Sequence, residues 1–284
     1  MIGFLRTIDF RTIVETTSRL CQEANFELEH DVHAALELAA KQEESPAGRD
    51  IITQLLDNAA IAARDRIPIC QDTGIVVVFV ECGQDLRITG GDLAGAITEG
   101  VRDGYTRGYL RKSVVGDPIR RQNTGDNTPP IIYFKPVPGS ALKISVLPKG
   151  AGSENMSALR MLKPAQGLAG IKEFVLETVE KAGPNACPPL TVGVGIGGTM
   201  EKAALLAKEA LLREVGARHG DPEIAALEDE LTVMINRTGF GPAGLGGRIT
   251  TLGVHIEVYP THIAMLPVAV NLNCHAVRHK TAIL

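Results

Sequence analysis

The sequence predicts a mixed α/β fold of the α+β kind, with mixed β-sheets flanked by helices and a helical N-terminal segment, rather than a Rossmann domain. Three observations point there. Residues 10–21, 28–41 and 46–64 space their apolar side chains at helical intervals and are rich in good helix formers. Short β-branched runs and amphipathic stretches then follow irregularly, without the repeating strand–helix–strand rhythm of a doubly wound sheet. No internal repeat or low-complexity linker interrupts the chain, so residues 1–284 are expected to form one domain, 1–66 mostly helical and 67–284 mixed.

Along the chain, Ser45 offers an N-cap and Pro46 takes the first position of the third helix. Pro68 then forbids a helix and pushes Ile67 to an extended conformation, while Gly74 frees the backbone before residues 75–80. That run is too short and too β-branched for a helix and reads as a buried strand. Between the two breakers stand Cys70, Gln71, Asp72 and Thr73, four different polar functions at a strand mouth. The composition suits a site and equally suits an ordinary surface turn.

Asp92 is placed to cap a helix running to about residue 109. The polar loop 116–130 carries Arg120 and Arg121, which suit either an anionic substrate or plain solvation. Strands are expected at 131–134 and 142–147. The segment 148–157, PKGAGSENMS, can present bare N–H groups to an oxyanion as it enters a helical stretch, and it matches neither the Walker nor the dinucleotide pattern. A helix over 170–181 stops at Gly183-Pro184, and a strand follows at 190–194. Helices at 200–218 and 223–237, a glycine-rich loop at 239–247, a strand at 254–258 and an apolar run at 263–270 complete the order.

Composition narrows the function. A net charge of -4, with seven Phe, four Tyr and no Trp, supplies neither the basic face nor the stacking surface that nucleic acid needs. No apolar run approaches the ~20 residues of a bilayer span, and residues 1–10 carry Arg6 and Asp9 in place of a signal peptide's apolar core. No nucleic-acid or membrane partner is expected, and the chain reads as cytoplasmic. Thirty glycines among 284 residues exceed the typical ~7% and gather in runs, which suggests backbone approaching a ligand.

Five cysteines are present, none at C-x-x-C spacing, so a zinc ribbon or thioredoxin-type site gets no support. Cys70, Cys187 and Cys274 each lie at a strand boundary beside proline or polar neighbours. Three thiolates suit an iron–sulfur cluster with one iron left open, and three buried structural thiols remain the other reading. A redox pair of Cys82 with Cys70 is a further alternative.

Taken together, PICQDTG around Cys70, KGAGSENMSALRMLKP from Lys149, NACPP and TVGVG around Cys187, GVHIE at Gly253 and NLNCHA around Cys274 resemble the class I, iron–sulfur-dependent fumarate hydratase and L-tartrate dehydratase family. The resemblance runs from about Arg49 to His279 and is to the α-subunit, the equivalent of the N-terminal part of single-chain forms. It implies a [4Fe–4S] cluster on Cys70, Cys187 and Cys274, with the open iron taking the substrate hydroxyl. It implies Asp72 and His262 as catalytic groups in proton movement or polarisation, and Gln71, Gly152 and an arginine at the substrate. Arg111 is the choice, with Arg107 and Arg120 as alternatives. A β-subunit carrying the rest of the active site is implied, in an α2β2-type hetero-oligomer acting on a small dicarboxylate. The expected activity is reversible hydration of fumarate to L-malate, a tricarboxylic acid cycle step. Dehydration of L-tartrate to oxaloacetate is the alternative within the family, and a non-catalytic cysteine-containing scaffold the alternative outside it.

Overall fold

The side chain of Asp9 accepts the N–H of Arg11 and caps helix α1 (Phe10–Phe26) directly behind a short strand, β1 (Arg6–Asp9). In this computed structural model, which describes residues 6–284, α2 (His30–Gln42) and α3 (Pro46–Asp65) come next. Ser45 Oγ accepts the N–H of Gly48, as a cap should, and Pro46 sits where its missing N–H leaves no bond unmade. The chain continues through β2 (Ile75–Gly83), β3 (Leu86–Thr89), α4 (Leu93–Arg107), β4 (Ile131–Val137), β5 (Leu142–Lys149) and a single-turn helix α5 (Ala151–Glu154). Then follow β6 (Ala158–Leu162), α6 (Gly167–Ala182), β7 (Leu190–Gly197), α7 (Met200–Glu209), α8 (Pro222–Asn236), β8 (Thr251–Tyr259), β9 (Leu266–Asn273) and β10 (Lys280–Ile283). Among the described residues no helix is long and apolar enough to cross a membrane.

The described residues group into two units. One holds the chain up to Leu28, Ala59–Gly150 and Arg278–Leu284; the other holds Glu29–Asn58 and Ala151–Val277. In the first, a sheet of order β10-β5-β2-β4 has β2 parallel to β4 and antiparallel to β5, and β1 pairs in parallel with β3. Alternation puts Val76, Val78 and Val80 on one face, where they join Ile144 and Val146 of β5, Leu20 of α1 and Ile97 and Val101 of α4 in one core. The two helices touch backbone to backbone. A Cβ on Gly104 would stand 2.8 Å from Ser18 O, so only glycine allows that approach.

The second unit is a sheet of order β6-β9-β7-β8, with β7 parallel to β8 and antiparallel to β9. Val192 and Val194 of β7 and Val268, Val270 and Leu272 of β9 face Phe174 and Val175 of α6 and Leu231 of α8. The opposite face carries Gly193 and Gly195, against which α7 lies. The string Gly193–Gly198 spells G-x-G-x-x-G, but its first two glycines fall inside β7 and the space of their missing Cβ atoms is filled by Ala207 O and Ala203 O. These glycines seat a helix, with no room for a pyrophosphate. The open edge of β8 is guarded by the buried carboxylate of Glu228, which accepts the N–H of Ile256 and pairs with Arg213.

Both four-stranded sheets mix parallel and antiparallel pairs, the predicted architecture. Two local expectations change. The helix expected over 200–218 stops at Glu209 and continues only as a 3-10 turn, because Leu211 drops into the core and Arg213 turns away to reach Glu228. The segment after Ser157 is the strand β6, not a helix, since its backbone pairs with β9.

Candidate active site

In the first unit the turn between Pro68 and β2 is held from several sides. Gly74 adopts φ 77°, and a Cβ there would stand 2.7 Å from the backbone N of Lys149, so glycine is required twice over. Asp72 Oδ1 accepts the N–H of Gly74 at 3.0 Å, and the N–H of Asp72 points at Cys70 Sγ, 3.4 Å away. Tyr105, fully buried, donates its hydroxyl to the carbonyl of Thr73, and burial pushes that hydroxyl's pKa up, keeping it a donor. Arg278 Nη1 donates to Asp72 O at 2.7 Å and to Asn25 Oδ1 at 3.2 Å. Gln71 is exposed, while Cys70 and Asp72 are half-buried.

The arginine choice acquires a geometry. Thr73 Oγ1 donates to Arg111 O at 2.9 Å, so Arg111 leaves the backbone beside the QDT turn, and its side chain is exposed. Asn127 ties the following loop to the same place, donating to Gly74 O at 3.1 Å and accepting the N–H of Ser113 at 2.7 Å. Arg107 pairs with Asp103 on its own helix, and Arg120 lies in the exposed turn that Asp117 closes.

In the second unit the chain brings Cys187 and Cys274 together. The N–H of His275 donates to Cys187 O at 3.2 Å, and Thr191 of β7 stands opposite Asn273 of β9. Cys187 has φ 57° and an exposed side chain; Cys274 is half-buried, and neither is in a disulfide. Gly152 is at the same end: a Cβ on it would approach Asn185 O at 3.5 Å, two residues before Cys187. Glu154 fastens α5 there, accepting from Asn271 Nδ2 at 3.0 Å and from Lys208.

His262 is elsewhere. It follows the C-terminal end of β8, whereas Cys187 precedes the N-terminal end of the parallel strand β7. The length of a nine-residue strand, about 30 Å, separates the two within this unit. His262 is exposed, and its Nδ1 accepts the N–H of Ala264 at 3.2 Å. The Cys82–Cys70 redox pair is excluded for the same kind of reason: Cys82 lies near the far end of β2, about 23 Å along the strand from Ile75.

The three thiols, none in a disulfide, fit an iron–sulfur group by chemistry. They are soft donors, none is sealed in the core as Cys21 is, and a backbone N–H already addresses Cys70 Sγ. Among the described residues no three His, Cys, Asp or Glu side chains gather as ligands for a single metal ion. A cluster that takes one thiolate per iron does not need such a group. Arg278, Asn127 and Tyr105 hold the QDT turn through backbone atoms distant in sequence, and Asn25 through the Arg278 side chain, so all four escape sequence reading.

The sequence pattern of fumarate hydratase (fumerase) matches residues 14–283. A chain provisionally named L(+)-tartrate dehydratase subunit alpha, from Methanocaldococcus jannaschii, is 45% identical over 94% of this chain and 95% of its own length. L(+)-tartrate dehydratase subunit alpha of Escherichia coli strain UTI89 is 36% identical over 88% of this chain and 84% of its own. The protein of the same name in strain K12 is 34% identical over 89% and 84%.

Proposed function

This chain belongs to the fumarate hydratase (fumerase) family and is a hydro-lyase, and on that premise we propose that it is the α-subunit of an enzyme that reversibly hydrates fumarate to L-malate. Cys70, Cys187 and Cys274 are the proposed ligands of a [4Fe–4S] cluster, which when bound supplies a Lewis-acidic iron for the substrate hydroxyl. Support for this ligand set comes from the bond between His275 N–H and Cys187 O, which joins two cysteine loops 87 residues apart in sequence.

The remaining roles belong to the chain's own groups. Arg111 pairs its planar fork with a substrate carboxylate, and Gly152 offers its backbone N–H. Gln71 orients the substrate. Asp72, its Oδ1 fixed by the Gly74 N–H, exchanges a proton or hydrogen bond with the bound acid. His262 serves only a site that another chain brings to its end of the sheet, given its distance from Cys187 and Cys274. A β-subunit, as the α-subunit names of the relatives suggest, completes the site in an α2β2-type assembly.

L(+)-tartrate dehydration to oxaloacetate is the second reading, favoured by the names of the relatives. L-malate and L(+)-tartrate are both four-carbon dicarboxylates with a hydroxyl beside a carboxylate, and the same groups would serve either. The test is kcat/KM of the anaerobically assembled α/β enzyme for fumarate, L-malate and L(+)-tartrate. A preference of tenfold or more for malate over tartrate upholds the first reading; the reverse upholds the second.

A further inference from the structure

We propose that a recess in the first unit, walled by Arg19, Arg66 and Arg107, binds a compact polyanion, either a phosphate group or a short di- or tricarboxylate. The cavity measures about 220 Å³, the room of roughly seven water molecules. It is lined by Glu15, Ser18, Arg19, Gln22, Arg66 and Arg107, three cations against one carboxylate.

The three arginines come from separate segments, and the fold has to bring them together. Glu15, Ser18, Arg19 and Gln22 follow the i, i+3, i+4, i+7 spacing of one α1 face. The last turn of α4 reaches that face because glycine lets it: a Cβ on Gly108 would stand 2.9 Å from Gln22 Cγ. Arg66 enters from the turn after α3 with φ 51°, a left-handed conformation that is costly for a non-glycine residue. Its Cζ lies over the ring of Phe26 at 5.2 Å, and the N–H of Ile67 bonds Ala62 O at 3.1 Å.

Each guanidinium keeps capacity for an anion. Arg19 Nη1 meets Glu23 one turn ahead at 2.8 Å, and Arg107 Nε meets Asp103 one turn back at 2.8 Å, each on its own helix. Arg66 Nη1 stands 3.7 Å from Glu27, beyond hydrogen-bonding distance. Ser18 Oγ donates to Asp103 Oδ2, and Gln22 Nε2 to Ser18 O at 3.3 Å. Exposed pairs of this kind contribute little because water screens them, so an anion bridging two or three planar forks competes well.

The recess shares no lining residue with the cysteines, Gln71, Asp72, Arg111 or Gly152 of the proposed site, on which it does not depend, yet Arg66 lies four residues before Cys70 on a segment whose Ile69 N–H bonds Asn25 O at 2.9 Å. The experiment is thermal unfolding and amide exchange of the intact chain, with inorganic phosphate, with succinate, with citrate, and with sodium chloride at matched ionic strength. Phosphate, succinate or citrate is expected to raise Tm saturably by about 2–4 °C and to slow exchange at Ile67 and Ile69. The probe that acts tells phosphoryl from carboxylate ligands. Arg66→Gln and Arg107→Gln should each abolish the rise, while Arg218→Gln, an exposed arginine of the other unit, retains it. No saturable rise with any probe, or an equal rise in the Arg66 and Arg107 variants, overturns the proposal.

Discussion

Arg278 Nη1 donates to the carbonyl oxygen of Asp72 at 2.7 Å, and the same nitrogen reaches Asn25 Oδ1 at 3.2 Å. A guanidinium 2% exposed thereby fixes the backbone of the turn that carries Cys70, Gln71 and Asp72. Replacing it with methionine keeps the aliphatic volume and leaves that carbonyl without its donor. Arg278→Met should cost about 1–3 kcal/mol in urea unfolding, with a matching fall in Tm. A loss below about 0.5 kcal/mol would show that the turn holds itself.

Glu43 and His255 make the second unit sensitive to acid. Burial alone would raise the Glu43 pKa, but the N–H groups of Ile249, Arg248 and Ser45 offset it and hold the carboxyl below its ordinary value. His255 is lowered by burial and by Arg213, so it stays neutral in the fold. Both folded values lie under the unfolded ones, so both contributions are present at neutral pH and fade as pH falls. Stability should decline first below about 6.5, as unfolded histidine takes its proton, and again below about 4.3 as Glu43 is protonated. Glu43→Gln should lower the urea midpoint at pH 7 and flatten the second decline; an unaltered acid limb would contradict this.

Gly195 is held to glycine by α7. A methyl group there would enter the space of Ala203 O and press on Leu206 Cβ, 2.8 Å from the ideal Cβ position. Gly195→Ala should destabilise by about 1–3 kcal/mol through overpacking. Gly253, whose missing Cβ faces open space in the same sheet, should tolerate alanine within about 0.5 kcal/mol. Equal effects at the two positions would remove α7 as the cause.

Arg111, Arg107 and Arg120 can be separated by kinetics. With a β-subunit present, Arg111→Lys should lower kcat/KM by about 30–100-fold, the loss of a charge-assisted fork worth roughly 2–3 kcal/mol. Arg107→Lys and Arg120→Lys, whose surroundings are Asp103 and Asp117, should change it less than about threefold. A larger loss at Arg107 or Arg120 would move the carboxylate clamp there.

The helical N-terminus and the strands β2, β5 and β7 were legible because local signals agree with their burial. Pro46 and Asp92 act as their residue types predict, and the valines of β2 alternate toward a core. The short strands β1, β3, β6 and β10 were not, since four or five residues exist as strands only through a partner's backbone. The end of α7 was hidden for a related reason: helical periodicity continues to residue 218, and a bond from Arg213 to Glu228 overrides it. At the site, cysteine and glycine positions could be read from motif order. That His262 lies at the far end of the sheet from Cys274, twelve residues on, follows only from the reversal between β8 and β9.

Cys70, Cys187 and Cys274 as the cluster's ligand set can be tested by metal content. Iron and acid-labile sulfide per chain, measured after anaerobic purification of the wild type and of Cys70→Ser, Cys187→Ser and Cys274→Ser, test it most directly. About four iron and four sulfide in the wild type, falling sharply in each variant while His262→Gln keeps the full complement, is the expected result. A wild-type chain without iron after anaerobic reconstitution, or three variants that retain it, would contradict the account.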